Sequence, residues 1–135
     1  MKIVRWLPLL CVAAGFLAGG CDGKSAPQLS PAAVTARWWS AVAAGDGSAA
    51  ADCVADSGRE KSGRMFAEYA LVRKAAEEKD PLAEQMLKRL EGIRTGEEKS
   101  GPTLAVVQLV MADGKPFLRV LLESRNGGWR IVDLD

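Results

Sequence analysis

The feature that most narrows the fold is a change of hydrophobic period late in the chain. Thr103 to Met111, Pro116 to Ser124 and Trp129 to Leu134 read as strands, and the breaks between them are Asp113-Gly114 and Asn126-Gly127. Such dipeptides supply the positive-φ residues of tight hairpin turns, so three strands are expected to fold back as an antiparallel meander. Two-residue turns fix the register. Leu109 then lies opposite Leu118, Val107 opposite Val120, Ala105 opposite Leu122, and Ile131 opposite Leu122 from its other side. Alternation puts Trp129 and Asp133 on that same inward face. The opposite face sets Glu123 beside Arg130 and Gln108 beside Arg119, and it also carries Leu104, Val106, Val110, Phe117, Leu121 and Val132. So much apolar surface predicts a partner, and a homodimer through Val106, Val110, Phe117, Leu121 and Val132 is the simplest one.

Upstream the period is 3.6. Ser30-Pro31 is an N-cap followed by proline at the first helical position, and Gly45 supplies the stop, which brackets a helix over Pro31 to Ala44. Val34, Trp38, Ala41 and Val42 form its apolar stripe. Trp39 sits about 100° around from Trp38, so one of the two indoles is expected at an edge or cavity. Asp46 to Ser48 opens a second short helix through about Ala55, with Ala50, Cys53 and Val54 inward. Gly58 to Gly63 reads as a flexible connection. A third helix follows with Met65, Phe66, Tyr69, Val72 and Ala76 in phase, and Asp80-Pro81 caps a fourth in which Leu82, Met86, Leu90 and Ile93 keep the period. Helices first and strands last make the fold class α+β, with the helices on one face of the meander.

The composition removes several kinds of chemistry. Among 135 residues there are 18 basic and 17 acidic side chains and no His. Near-neutral charge argues against nucleic acid as a partner, and the mixed signs along the helices read as solvated faces rather than a polyanion site. Without His, zinc hydrolase sites and Ser-His or Cys-His nucleophile pairs are excluded. No metal and no cofactor is expected. Cys53 falls at a core position, where a thiol acts as a small hydrophobe rather than as a nucleophile.

The amino terminus reads as an address. Lys2 and Arg5 precede an uncharged stretch from Trp6 to Gly20, too short for the ~20 apolar residues that span a bilayer, as in a secretory signal. Leu17-Ala18-Gly19-Gly20-Cys21 resembles the lipobox of bacterial lipoproteins, although Ala18 stands where that motif usually has Leu. The resemblance implies that residues 1–20 are removed and that Cys21 carries the lipid anchor. Residues 21–29 then form a tether, and residues 30–135 the domain. Asp22 behind the anchor resembles the lipoproteins of enteric bacteria that stay on the inner membrane, and the domain would face the periplasm. Ordinary signal-peptidase cleavage also fits Ala18-x-Gly20, and a free Cys21 could then pair with Cys53, stabilising by about 3 kcal/mol. Two of the 18 basic residues, Lys2 and Arg5, leave with the signal and no acid does, so 16 remain against 17. Electrostatic adhesion to anionic lipid is not expected from that balance.

Two further segments carry a resemblance. Val34-x-x-x-Trp38-Trp39-x-Ala41-Val42-x-x-Gly45-Asp46-x-x-x-Ala50 and Asn126-Gly127-Gly128-Trp129-Arg130-Ile131-Val132-Asp133 look like the bacterial lipoprotein branch of the nuclear transport factor 2-like superfamily. That likeness covers residues 30–135 at the level of pattern. It implies a cone with a cavity between sheet and helices, lined by Trp38, Trp39, Phe66, Tyr69, Trp129 and Asp133. The expected function is non-catalytic binding of a small ligand or a protein. An isomerase or cyclase using Asp133 as a base of raised pKa beside Tyr69 is the enzymatic alternative, and a purely structural dimerisation module with a filled cone is the third.

Overall fold

A computed structural model describes residues 28–135. The expected signal over residues 1–20, the expected anchor Cys21 and most of the expected tether lie outside the described residues. The order is α1 (Pro31–Ala44), α2 (Gly47–Asp52), a 3₁₀ turn (Asp56–Gly58), α3 (Arg59–Glu77), α4 (Pro81–Glu91), then β1 (Arg94–Ser100), β2 (Leu104–Val110), β3 (Pro116–Arg125) and β4 (Gly128–Leu134). The strands form one open antiparallel sheet in the order β1-β2-β3-β4, so the fold is α+β with the helices preceding the sheet.

The boundaries of α1 are set by its caps. Ser30 Oγ accepts from the Ala33 N–H, Pro31 needs no partner at the first position, and Gly45 takes φ 75° at the end. Glu98 on β1 accepts the Ala32 N–H at 2.9 Å, placing a carboxylate against the positive end of the helix. At the other end Arg73 on α3 donates to the Ala43 carbonyl at 2.7 Å. α1 is thereby fixed at both ends, and its buried stripe of Val34, Trp38, Trp39, Ala41 and Val42 closes on the sheet residues Ala105, Val107, Leu109, Val120, Leu122 and Ile131.

Four features differ from the sequence reading. α2 stops at Asp52, because the next residues serve the sheet: Ala55 N donates to the Ile131 carbonyl at 2.8 Å and Ile131 N to the Cys53 carbonyl at 2.9 Å. That short parallel bridge at Val54 covers the β4 edge. Gly58 to Gly63 is no loop, since α3 already begins at Arg59 and buries Ser62. On α4 the inward residues are Ala83, Leu87 and Leu90, while Leu82 and Met86 are exposed; Ile93 is buried beyond the helix end. β1, with the sequence RTGEEKS, is an added edge strand whose charges hid it from any apolar pattern.

The predicted strand pairs all occur, but by a different route. Asn126 at φ 48° and Gly127 at φ 81° make the two-residue turn expected between β3 and β4. Between β2 and β3 the loop is instead three residues, with Met111 N donating to the Lys115 carbonyl and Gly114 at φ 88°. A bulge at Phe117 absorbs the extra residue, so Val110 pairs with Pro116 and Leu109 still pairs with Leu118. A second bulge lies in β4, where Leu122 pairs with Ile131 but Leu121 with Asp133, leaving Val132 between them.

Close packing at the turn before α3 leads to a stability prediction. A Cβ on Gly58 would lie 2.9 Å from the Ile131 carbonyl oxygen and 3.0 Å from Val54 Cγ1, whereas one on Gly63 would meet nothing within 4 Å. Gly58→Ala is expected to lower stability by about 1–3 kcal/mol, and Gly63→Ala to raise it by about 0.5–1 kcal/mol. Urea unfolding midpoints of the two variants check the opposite signs.

Candidate functional site

Three of the six residues predicted to line a cavity, Trp38, Trp39 and Tyr69, are instead packed into the core. Trp38 has no solvent exposure, and its Nε1 donates to Ser62 Oγ at 2.8 Å, which satisfies the one polar group an indole carries inside. Trp39 is also buried, so both indoles are central rather than one. They manage this by serving different neighbours. Trp39 stacks edge-on against Tyr69 and against Phe117, each at 5.5 Å between ring centroids, while Trp38 faces α3. Arg73 lies over the Tyr69 ring at 5.6 Å. Phe117 was expected on the outer sheet face; the bulge turns it to the helix side, where it completes this aromatic cluster.

Asp133 also departs from its expected place. The Val132 bulge moves it opposite Leu121 on the outer face and gives the inward position to Leu134, which is buried. Its side chain is 44% exposed, and Lys61 Nζ donates to Oδ1 at 2.7 Å. The Lys61 hydrogen bond, helped by the Leu134 N–H, holds the carboxyl below its ordinary range, opposite to what a general base would need. Tyr69 shifts upward, through burial first and the nearby Glu91 second, with Arg73 opposing. Lys61 and Tyr69 are eight residues apart on one helix, about 12 Å along its axis, so Asp133 and Tyr69 face different neighbours.

Phe66 and Trp129 each line a separate surface depression. Phe66 joins Gly47, Ala50, Val54 and Ser62 around about 250 Å³, an apolar notch between α2 and α3. Trp129 joins Leu29, Val34, Arg37 and Cys53 around about 170 Å³ where the chain enters the domain. Cys53 is buried, its Sγ lies 3.6 Å from the Ala49 carbonyl, and desolvation pushes the thiol's pKa up. Such a thiol is held protonated, the state of a core residue rather than a nucleophile.

A further depression, lined by charged groups, joins residues that the sequence reading did not bring together. An open depression of about 330 Å³ is lined by Val54, Ala55, Asp56, Arg59, the β3–β4 turn from Arg125 to Gly128, and Arg130. Arg125 and Arg130 could have been placed together, because the turn register puts both on one face of the hairpin. Arg59 could not, since it arrives only through the bridge between Val54 and Ile131.

Among the described residues no three His, Cys, Asp or Glu side chains gather in a way that could hold a metal ion, and no helix is long and apolar enough to cross a membrane. Comparison with family models, curated proteins and solved structures returned no match for this chain.

The Lys61–Asp133 pair sets a pH dependence. A carboxyl whose folded pKa is depressed adds stability above its unfolded value, and that stability is lost as pH falls through the folded pKa. Asp133→Asn is expected to lower stability slightly at neutral pH, the pair being half exposed. Variant and parent should converge on acidification below the ordinary aspartate value of 3.8. Chemical denaturation of both proteins across that range checks the convergence.

Proposed function

We propose that this chain is a bacterial envelope lipoprotein, anchored through Cys21, whose domain is a filled variant of the nuclear transport factor 2-like cone and binds without catalysis through its surface. In this reading the outer sheet face joins a second copy. One observation carries it: α1 lies against Val107, Val120, Leu122 and Ile131, and the other side of the sheet keeps an apolar row only partly shielded. Val106 pairs directly with Leu121, Val110 and Val132 are half-buried, and Leu104 is 61% exposed. Phe117 is not part of this face.

Both signs of charge flank that row: Lys99 pairs with Val106 and Asp133 with Leu121, Glu123 and Arg130 pair on one side, and Gln108 with Arg119 stands between Val106 and Val110. Mixed charge around an apolar centre is self-complementary across a twofold axis. A filled interior favours such a surface over an enclosed small-molecule site, because Trp38, Trp39, Tyr69 and Phe117 occupy the space a ligand would need. The lipid anchor supplies what the domain lacks, a membrane attachment with no spanning helix. Acyl chains contribute about 0.8 kcal/mol per buried CH₂, which suffices when several sit on one cysteine.

Native mass spectrometry of protein extracted in detergent from its own host tests both halves. The expected species begins at Cys21, carries acyl chains and is dimeric, and Leu121→Lys shifts it to monomer by at least tenfold in dissociation constant. An unmodified amino terminus would overturn the anchor. A monomer in the parent protein would remove the dimer.

A further inference from the structure

We infer that the depression between the Asp56–Gly58 turn and the β3–β4 hairpin is an anion site that takes a phosphate group. Three guanidinium groups, from Arg59, Arg125 and Arg130, line it against a single lining carboxylate, Asp56. Each arginine is steadied from one side only. Arg59 meets Asp56 Oδ1 through Nε at 3.2 Å, and Arg125 meets Glu123 through Nε, so in both the paired Nη edge is not engaged by these contacts. Arg130 Nη1 donates to the Asp52 carbonyl at 2.9 Å, a neutral acceptor, and among the described residues no carboxylate lies within ion-pair distance of it. A charge anchored by a carbonyl keeps its full field. The Nη edge of arginine is the fork that matches phosphate oxygens two at a time.

Shape and position agree with the charge. The Asn126-Gly127 turn forms one wall, and Gly127 and Gly128 also border the neighbouring depression that holds Arg37, Asp52, Gln28 and Leu29. The arginine pocket therefore lies at the end of the domain where the chain enters. Only six residues lie between Cys21 and Gln28, seven steps or at most about 25 Å of extended chain. If Cys21 is acylated, as proposed above, this end is held near a bilayer and the phosphate can belong to an anionic lipid headgroup. A pocket of about 330 Å³ has room for more than a bare phosphate ion. The shared chemistry is the phosphate; its source, headgroup or soluble anion, is open to experiment.

The test uses the full chain in zwitterionic detergent, labelled at arginine with ¹⁵N and followed by NMR of the side-chain Nε–H groups. Sodium phosphate is titrated against sodium chloride of equal ionic strength, then a short-chain phosphatidylglycerol against the matching phosphatidylcholine. Saturable shifts confined to Arg59, Arg125 and Arg130 are expected with phosphate and with phosphatidylglycerol. Arg59→Gln should weaken binding about tenfold, and Arg59→Gln with Arg130→Gln further, while Arg89→Gln leaves it unchanged. The single variant spares the Arg130 bond to Asp52 and gives up only the exposed Arg59–Asp56 pair, so a loss there does not come from undocking β4. Tighter binding of phosphatidylglycerol assigns the headgroup as source, and equal or tighter binding of free phosphate assigns a soluble ligand. Shifts no larger than those from chloride, or equal in all variants, overturn the site. The intact mass of the same sample reports acylation, so a working pocket on an unacylated chain would sink the anchor and leave the anion site standing.

Discussion

A single indole organises most of what surrounds it. Trp38 is wholly buried, and an indole N–H with no partner inside a protein costs free energy on the scale of the hydrogen bond it lacks. Ser62 supplies that partner, which requires α3 to be helical well before its apolar stripe begins. The early start of α3 brings the preceding turn against β4, where only a glycine fits at position 58. The segment from Cys53 to Ala55 then falls into register with Ile131 and covers the sheet edge. Burial of one side chain on α1 thus leads to the start of α3, the docking of the 3₁₀ turn and the sealing of β4.

Parts of the fold decided by local chemistry were legible in the sequence. Ser30, Pro31 and Gly45 marked α1 to the residue, because a cap is a short-range device whose partners lie within four positions. The Asn126-Gly127 turn was legible for the same reason, whereas the β2–β3 pairs come out as expected only because the bulge at Phe117 offsets the longer loop. Bulges were not. One extra residue at Phe117 or Val132 reverses the facing of its neighbours, and nothing in the alternation of the strand itself announces it. Both misplaced side chains, Phe117 and Asp133, lie at or just past such a bulge. β1 escaped notice because an edge strand held by backbone bonds to β2 needs no apolar face of its own.

The corrected positions change the kind of site the domain can hold. Bringing Phe117 inward adds a fourth ring to Trp38, Trp39 and Tyr69 between sheet and helices. Moving Asp133 outward takes a carboxylate from the interior and gives it a lysine partner, which stabilises its charged form. An acid kept ionised by a cation makes a poor proton acceptor. Under the proposed reading the domain works by its surfaces, one apolar and one rich in arginine, rather than by a chamber.

Net charge hides the second of these surfaces. Eighteen basic against 17 acidic side chains, or 16 against 17 under the proposed cleavage, suggests no attraction to anions, yet a net value averages over the whole molecule. Fields at a surface depend on separation, and beyond about 8–10 Å at physiological salt exposed charges are largely screened from one another. Acids such as Glu77, Glu84 and Glu91 sit around α4, whereas Arg59, Arg125 and Arg130 gather beside the β3–β4 turn. The distant acids lower the sum without neutralising the pocket. What an approaching phosphate meets is the local group: three guanidiniums, one lining carboxylate, and Glu123 behind Arg125. A nearly neutral chain can therefore present an anion-binding end, and here the fold puts that end where the amino-terminal segment joins the domain.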